Sequence, residues 1–221
     1  MTVAENLHAI RQKLPDKVKL VAVSKTYPAN VLMEAYHAGQ RIFGENRVQE
    51  MVEKYAQMPA DVQWHLIGHL QKNKVKYIAP FVSMIHAIDS TELLQVVNRE
   101  AAKAQRTIPC LIQLHIAQEE SKFGFSYPEA KEFFLNKPFS SLENIRIAGL
   151  MGMASLTDNP DQVRQEFKKL ASFFNEVKSG PMHTETGFTE LSMGMSSDYP
   201  IAIDQGATII RVGSAIFKSS R

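Results

Sequence analysis

The sequence is short of the features that mark secreted, membrane and nucleic-acid-binding proteins. It has one cysteine, Cys110, in 221 residues, so no disulfide can form within the chain and a reducing compartment is indicated. The first residues carry neither the basic segment nor the apolar core of a signal peptide, and no apolar run is long enough to cross a bilayer. Basic and acidic residues almost balance, at 25 and 23, which argues against nucleic acid or a membrane surface as partner. We therefore expect a cytoplasmic protein.

Two common phosphate-binding motifs are also missing. No G-x-G-x-x-G follows the first predicted strand and no Walker motif occurs, which counts against the main alternative fold, an open doubly wound sheet. Strand-like apolar runs instead alternate with helical patterns along the chain. The predicted strands span residues 18–24, 41–44, 62–67, 82–88, 108–116, 145–151, 190–193 and 207–212, and a helix over 3–14 precedes them. Eight such units predict an α/β fold, a single (β/α)8 TIM barrel with an extra N-terminal helix, as one domain over 1–221.

The first predicted strand leads into a lysine. Residues 20–25 are Leu-Val-Ala-Val-Ser-Lys, and Pro28 soon interrupts the run. An all-apolar strand is typical of a parallel sheet covered on both faces, and barrels carry their functional groups at the carboxyl ends of their strands. Lys25 is therefore a candidate nucleophile or Schiff-base residue. The alternative is a strand-end lysine that simply reaches water.

The loops after the seventh and eighth strands are rich in glycine and hydroxyl residues. The first contains Gly194 and Ser196, and the second contains Gly213 and Ser214. Barrels often bind phosphate with these two loops and a short helix that follows them. A pair of ordinary helix caps is the alternative, and the sequence alone does not separate the two.

Arg211 lies within the apolar eighth strand. The two-residue period of a strand places it on the face opposite to Ile210 and Val212. A guanidinium inside a barrel needs a partner. A ligand would serve, and so would Asp204 or Glu45.

Other polar groups are weaker candidates. His65 and His69 are four residues apart, but Gly68 lies between them at a strand end, so the helical spacing of a zinc site is absent and we expect no metal. Three basic residues that follow form a cluster that is typical of a solvated face, although it could accept an anion; they are Lys72, Lys74 and Lys76.

Taken together, these motifs resemble one known family, the pyridoxal 5′-phosphate (PLP) homeostasis proteins, whose fold is similar to the barrel domain of alanine racemase. The resemblance spans nearly the whole chain and rests on residues 22–25 (AVSK), 43–46 (FGEN) with Gln49 and Glu50, 65–74 (HLIGHLQKNK), 121–124 (SKFG), 149–151 (GLM), 191–196 (LSMGMS) and 211–217 (RVGSAIF). The chain departs from the family at Lys218, where glycine is usual.

The resemblance implies a role for six residues. Lys25 would form a Schiff base with the cofactor's aldehyde, and Asn46 would lie nearby in the pocket. The phosphate would be surrounded by Ser196, Gly213 and Ser214. Arg211 would lie against the pyridine nitrogen, which it would leave unprotonated, so that the ring is a weak electron sink.

Two functions are consistent with such a site. A carrier would hold PLP and manage its supply, with transient contact to PLP-dependent apo-enzymes and no catalytic residues of its own. A small amino-acid racemase would need a base on each face of the substrate. In the racemases that the chain resembles, the second base is a tyrosine from a further domain, which we expect this chain to lack. The loop tyrosines Tyr27, Tyr127 and Tyr199 are the alternatives within this sequence. We favour the carrier, as a monomer.

Overall fold

A computed structural model describes residues 2–118 and 123–218. Its eight parallel strands close into a barrel in sequence order, with β1 pairing both β2 and β8. The strands are β1 (Lys19–Val23), β2 (Ile42–Glu45), β3 (Gln63–Leu66), β4 (Met84–Ile88), β5 (Ile108–His115), β6 (Ile145–Met153), β7 (Glu190–Ser192) and β8 (Ile209–Val212). The predicted (β/α)8 barrel is confirmed.

Helices surround the barrel and follow the strands in turn. They are α1 (Val3–Arg11), α2 (Ala29–His37), α3 (Val48–Tyr55), α4 (Val75–Ile78), α5 (Thr91–Lys103), α6 (Tyr127–Asn136), α7 (Pro160–Ser179), α8 (Tyr199–Asp204) and α9 (Ser214–Phe217), with a 3₁₀ turn over Lys72–Lys74 before α4. Within the described residues, no helix is long and apolar enough to cross a membrane.

The extra N-terminal helix, α1, is stabilised by its own N-terminal cap and by contacts with the rest of the fold. Thr2 and Glu5 form a capping box at its start, which satisfies two backbone N–H groups that the helix would otherwise leave unpaired. Its buried face carries Leu7, and Asn6 Nδ2 donates to the Ile216 carbonyl at 2.9 Å. The helix therefore ties the start of the chain to α9, beside the end of the last strand.

The strands separate two apolar layers because successive side chains point to opposite faces. The larger layer lies between the sheet and the helices and includes Ile210 and Val212. A smaller cluster fills the barrel interior; its buried members are Val21, Met84, Ala87, Leu111, Ala148, Met151 and Ile209. Arg211 follows Ile209 by two residues and therefore shares its inward face, as predicted.

The second predicted strand, over 41–44, ends one residue too early. Glu45 is the last residue of β2, paired with Leu66 of β3, and α3 begins only at Val48. The Glu45 carboxylate accepts hydrogen bonds from Lys54 and Ser24. These long-range contacts leave no signal in the local sequence pattern. They place Glu45 beside the loop that follows β1.

Gly149 on β6 allows a close approach to β7. A Cβ at this position would overlap the backbone carbonyl of Glu190. We expect Gly149→Ala to lower the free energy of unfolding by about 2 kcal/mol or more, because the two paired strands must separate to admit the methyl group. Urea unfolding followed by circular dichroism measures this. Gly206→Ala is the control, since Gly206 has positive φ and open space around its Cβ position. Equal losses for the two variants would contradict the steric explanation.

Candidate functional site

The loops that carry the predicted residues meet on one side of the barrel mouth. Lys25 follows β1, Asn46 follows β2, Ser196 follows β7, and Gly213 follows β8. These strands are neighbours in the closed sheet, in the order β7-β8-β1-β2. Parallel strands end at the same edge, so four loops that are distant in sequence converge there. The structure thus brings the sequence candidates to one place.

Two of these loops are in direct contact. The Gly213 N–H donates to Ser196 Oγ at 3.1 Å. Gly213 also packs against β1, since a Cβ there would lie 3.1 Å from the Val23 carbonyl oxygen. A side chain at this position would push β8 away from β1. Ser214, the first residue of α9, is exposed at the rim.

The loop over residues 193–198 is fixed by its own hydrogen bonds. Asp198 Oδ1 accepts from the Met195 N–H at 2.5 Å, and the Gly194 carbonyl accepts from the Arg211 N–H at 2.9 Å. Gly194 has a φ of +93° and would bring a Cβ against Ala202, so glycine is required there. Ser196 therefore has a defined position rather than one chosen from many loop conformations.

The side chain of Lys25 is exposed at the mouth, and the backbone on either side of it is clamped. Lys54 Nζ donates to the Ser24 carbonyl at 2.8 Å, and the Thr26 N–H donates to Glu50 Oε2 at 3.1 Å. Thr26 adopts a φ of +70°, a conformation that is strained for a β-branched residue. Tertiary contacts to both flanking residues therefore fix the backbone of Lys25 at the end of β1.

The clamp rests on a buried ion pair between β2 and α3. Lys54 Nζ lies 2.6 Å from Glu45 Oε1, and the two side chains are 9% and 0% exposed. Ser24 Oγ donates to the same carboxylate oxygen at 2.6 Å. Burial raises the pKa of Glu45, while the hydrogen bonds from Lys54 and Ser24 oppose that shift. Within the described residues Glu45 Oε2 is buried without a hydrogen-bond partner.

Sequence reasoning missed the role of this pair. Glu45 and Glu50 belong to the motif that carries the family resemblance, but nothing in their spacing shows that they reach back to Ser24 and Thr26. One pattern was available, because Glu50 and Lys54 stand four residues apart on α3 and face the same side of that helix.

Arg211 lies at the floor of the mouth and is only 3% exposed. Its Nη1 donates to Ser192 Oγ at 2.6 Å and its Nη2 to the Gly152 carbonyl at 3.0 Å. Its other N–H groups have no protein acceptor among residues 2–118 and 123–218. Burial lowers the pKa of Arg211 to about 10, against a smaller opposing effect of Asp198. The guanidinium is therefore charged at neutral pH and retains donors for a ligand.

The protein partners that the sequence suggested for Arg211 are wrong. Asp204 lies on α8, with Arg164 at 3.8 Å, and Glu45 is engaged by Lys54 on the outer side of the sheet. The serine that contacts Arg211 comes instead from β7, the neighbouring strand.

The two histidines considered for a metal point to different partners. His65 Nδ1 is 2.9 Å from His86 Nε2 inside the barrel. His69 lies at the rim, with Nδ1 3.1 Å from Asp89 Oδ2 and its ring stacked on Phe123. In the part of the chain that the structure describes, no three His, Cys, Asp or Glu side chains are grouped as metal ligands.

Two other sequence features lie away from the converging loops or cannot be placed. Lys74 and Lys76 lie over the exposed ring of Tyr77, on the outer side of the barrel, which agrees with a solvated face. Ser121 and Lys122, part of the resemblance, lie outside the described residues.

Comparison with known proteins places the chain in a family. A family model for the N-terminal domain of alanine racemase matches residues 2–221. The pyridoxal phosphate homeostasis protein of Aquifex aeolicus is 38% identical over 200 residues, which cover 90% of this chain and 86% of that protein. That of Schizosaccharomyces pombe is 41% identical over 211 residues, 91% of this chain and 84% of that protein. The chain belongs to the pyridoxal phosphate homeostasis protein family.

Solved structures agree with this assignment. PipY of Synechococcus elongatus, in a structure with PLP bound, matches with a TM-score of 0.89 and 37% identity, covering 98% of this chain and all of PipY. Alanine racemase of Clostridium difficile matches with a TM-score of 0.77 at 14% identity, over 99% of this chain and 60% of the racemase. The second likeness shows a shared barrel fold alone.

The buried pair behind Lys25 leads to a prediction about stability. We expect Lys54→Met to lower the free energy of unfolding by about 3 kcal/mol, because it leaves the buried Glu45 carboxylate without its countercharge. The double variant Glu45→Gln/Lys54→Met should recover at least half of that loss, since no charge is then left unpaired. Chemical denaturation of the three proteins measures both effects.

A matched control is Lys103→Met, which breaks an ion pair between Glu100 and an exposed lysine on α5. It should leave the unfolding midpoint essentially unchanged, because ion pairs in water contribute little. A Lys54→Met protein as stable as this control would show that the pair does not hold the loop after β1.

Proposed function

We propose that this protein binds PLP through a Schiff base on Lys25, holds it in reserve in the cytoplasm, and passes it to PLP-dependent apo-enzymes while acting as a monomer. The observation that carries the proposal is the pairing of an exposed lysine amine with a buried guanidinium that has unused donors at the same end of the barrel. The PLP-bound structure of PipY, 37% identical to this chain over nearly its whole length, supports this choice of ligand.

The described residues offer partners for the aldehyde and the phosphate of PLP. Lys25 supplies a primary amine for the aldehyde. Ser196 Oγ accepts from the Gly213 N–H and keeps its own proton to donate, so with Gly213 and Ser214 it would hold the phosphate. Asn46 is half-buried after β2, and its side chain makes no hydrogen bond to the described residues, so its amide is available at the rim.

Arg211 favours storage over catalysis. Bound PLP supplies an electron sink, which is strongest when its pyridine nitrogen is protonated. A guanidinium with a pKa of about 10 is a donor at neutral pH and does not give up its proton to the ring. Placed against the pyridine nitrogen, it would leave that nitrogen unprotonated. The cofactor would then be held in a form that reacts slowly.

The tyrosine positions also favour a carrier over a racemase. Tyr27 packs against Phe217, with ring centroids 4.9 Å apart. Tyr127 stands edge-on to Phe173 between α6 and α7, and its hydroxyl is buried there without a hydrogen-bond partner among the described residues. Burial raises the pKa of Tyr127 to about 12. These contacts direct both rings into the helical layer rather than toward Lys25.

Replacement of the lysine tests the attachment site. After incubation with PLP and reduction with borohydride, the wild type should gain the mass of one reduced cofactor, and peptide mapping should find it on Lys25. Lys25→Ala should show neither the added mass nor the Schiff-base absorbance band, because the amine is gone. Lys72→Ala, a change in the basic cluster, should behave as the wild type. Labelling of Lys25→Ala at another lysine with equal yield would refute the assignment.

Transfer and turnover separate the two functions. We expect loaded protein to activate a PLP-dependent apo-enzyme and to leave L- and D-alanine unracemised, because Tyr27 and Tyr127 face the helical layer and the ring would be a weak electron sink. Enzyme activity after mixing and chiral chromatography measure the two outcomes. Steady racemisation without transfer would reverse the choice. Sedimentation of the loaded protein tests the monomer.

A further inference from the structure

A chain of buried polar side chains crosses the barrel interior beneath Arg211. Ser192 on β7 accepts from Arg211 Nη1, and its Oγ lies 2.9 Å from His86 Nδ1 on β4. His86 Nε2 lies 2.9 Å from His65 Nδ1 on β3. All four side chains are at most 4% exposed. Three contacts therefore link the floor of the mouth to strands on the far side of the barrel.

The arginine sets the direction of this chain. Because Arg211 can only donate, Ser192 Oγ accepts from it, and the serine proton is left to bond elsewhere. Among the described residues, the contact available to that proton is His86 Nδ1. A proton on His86 Nδ1 would strand the serine proton in a buried site, at a cost of about 1–3 kcal/mol. Ser192 thus donates to His86.

The same reasoning extends to the next histidine. Since His86 Nδ1 accepts, neutral His86 carries its proton on Nε2 and donates it to His65 Nδ1. His65 must then carry its own proton on Nε2. Both rings are neutral at physiological pH, because burial lowers the pKa of His65 to about 3 and that of His86 well below its usual value. A second proton, on Nδ1 of either ring, would place two donors against each other and break the order of the hydrogen bonds.

We propose that Ser192, His86 and His65 are positioning residues for Arg211, which hold its guanidinium through a one-directional chain of hydrogen bonds and so aim its free N–H groups at the ligand in the mouth. This inference rests on the proposed function for the identity of that ligand, PLP. It assigns a role to two buried histidines whose hydrogen-bond partners, among the described residues, are each other and Ser192.

The contacts of Arg211 explain why the chain of hydrogen bonds is needed. The Gly152 carbonyl and Ser192 Oγ hold one nitrogen each, Nη2 and Nη1. Ser192 Oγ can hold Arg211 Nη1 in place only if a lone pair of the oxygen faces that nitrogen. The orientation of the hydroxyl is set by His86, which accepts the serine proton. Without that acceptor, the hydroxyl could turn its proton instead of a lone pair toward Arg211 Nη1. A neutral chain achieves this without placing a second charge beside the guanidinium.

Nuclear magnetic resonance of the protein without PLP tests the chain directly. Long-range ¹⁵N–¹H spectra distinguish the two neutral histidine tautomers by the shifts of the protonated and unprotonated nitrogens. We expect His65 and His86 both to carry the proton on Nε2 at neutral pH. A proton on Nδ1 of either ring would overturn the proposal, and this result does not depend on whether PLP binds.

The effect on the ligand is measured with ¹⁵N-labelled PLP. Ser192→Ala should still form the Lys25 adduct, but the pyridine nitrogen shift should move toward the protonated value and PLP should be released roughly tenfold faster, because the lost contact is a charge-assisted hydrogen bond. Ser179→Ala is the control; it removes a hydroxyl that donates to the Asn175 carbonyl at the end of α7 and should move neither readout.

The outcomes keep the two proposals apart. Should the wild type fail to bind PLP while both histidines show the expected tautomers, the proposed function fails and the hydrogen-bond chain stands. An unchanged pyridine shift and release rate in Ser192→Ala, with normal adduct formation, would overturn the positioning role. His86→Gln should keep the wild-type shift, since an amide can replace the imidazole as acceptor, whereas His86→Leu should resemble Ser192→Ala.

Discussion

A guanidinium buried in an apolar barrel is the constraint on which the site depends. Arg211 is charged, and removing a charge from water is costly unless hydrogen bonds replace the lost hydration. The protein supplies two such bonds, to Ser192 and the Gly152 carbonyl, and the other donors of Arg211 have no acceptor among the described residues. Asp198 adds a favourable charge nearby. The loops above Arg211 and the polar chain beneath it both follow from the need to satisfy this one group.

A buried charge pair supports the opposite wall of the site. Glu45 and Lys54 lie outside the sheet and hold Ser24, while Glu50 holds Thr26 on the other side of Lys25. The Lys25 side chain is exposed, whereas Ser24, Glu45 and Lys54 beside it are buried. This arrangement meets two requirements. An amine that is to react with an aldehyde needs a side chain that can move, whereas the backbone that carries it needs a fixed position. Rigid supports behind a mobile group satisfy both.

The barrel itself is shared with enzymes of different chemistry. Alanine racemase of Clostridium difficile has the same fold at 14% identity, but this chain corresponds to only 60% of that protein. Function in such barrels depends on loops and on added domains rather than on the strands. The family to which this chain belongs is named for PLP homeostasis, and the environment of Arg211 and the packing of Tyr27 and Tyr127 give a physical reason why a racemase-like barrel can act as a carrier.

Periodicity in the sequence was sufficient to predict eight strands, their order and the inward face of Arg211, because alternation of apolar residues and of strand with helix is a local property. It also placed Lys25, Ser196 and Gly213 at the same edge, since parallel strands all end there. The predicted bounds differ where a side chain is used at long range, as at Glu45.

The hydrogen-bond partners of the buried charged residues could be identified only from the tertiary structure. Ser192 and His86 are 106 residues apart, and no local pattern shows that they touch. Closure of the barrel, the register of its strands and the height of each inward side chain decide such contacts. Sequence therefore determined which residues could do chemistry at the mouth, and the closed barrel decided what holds them there.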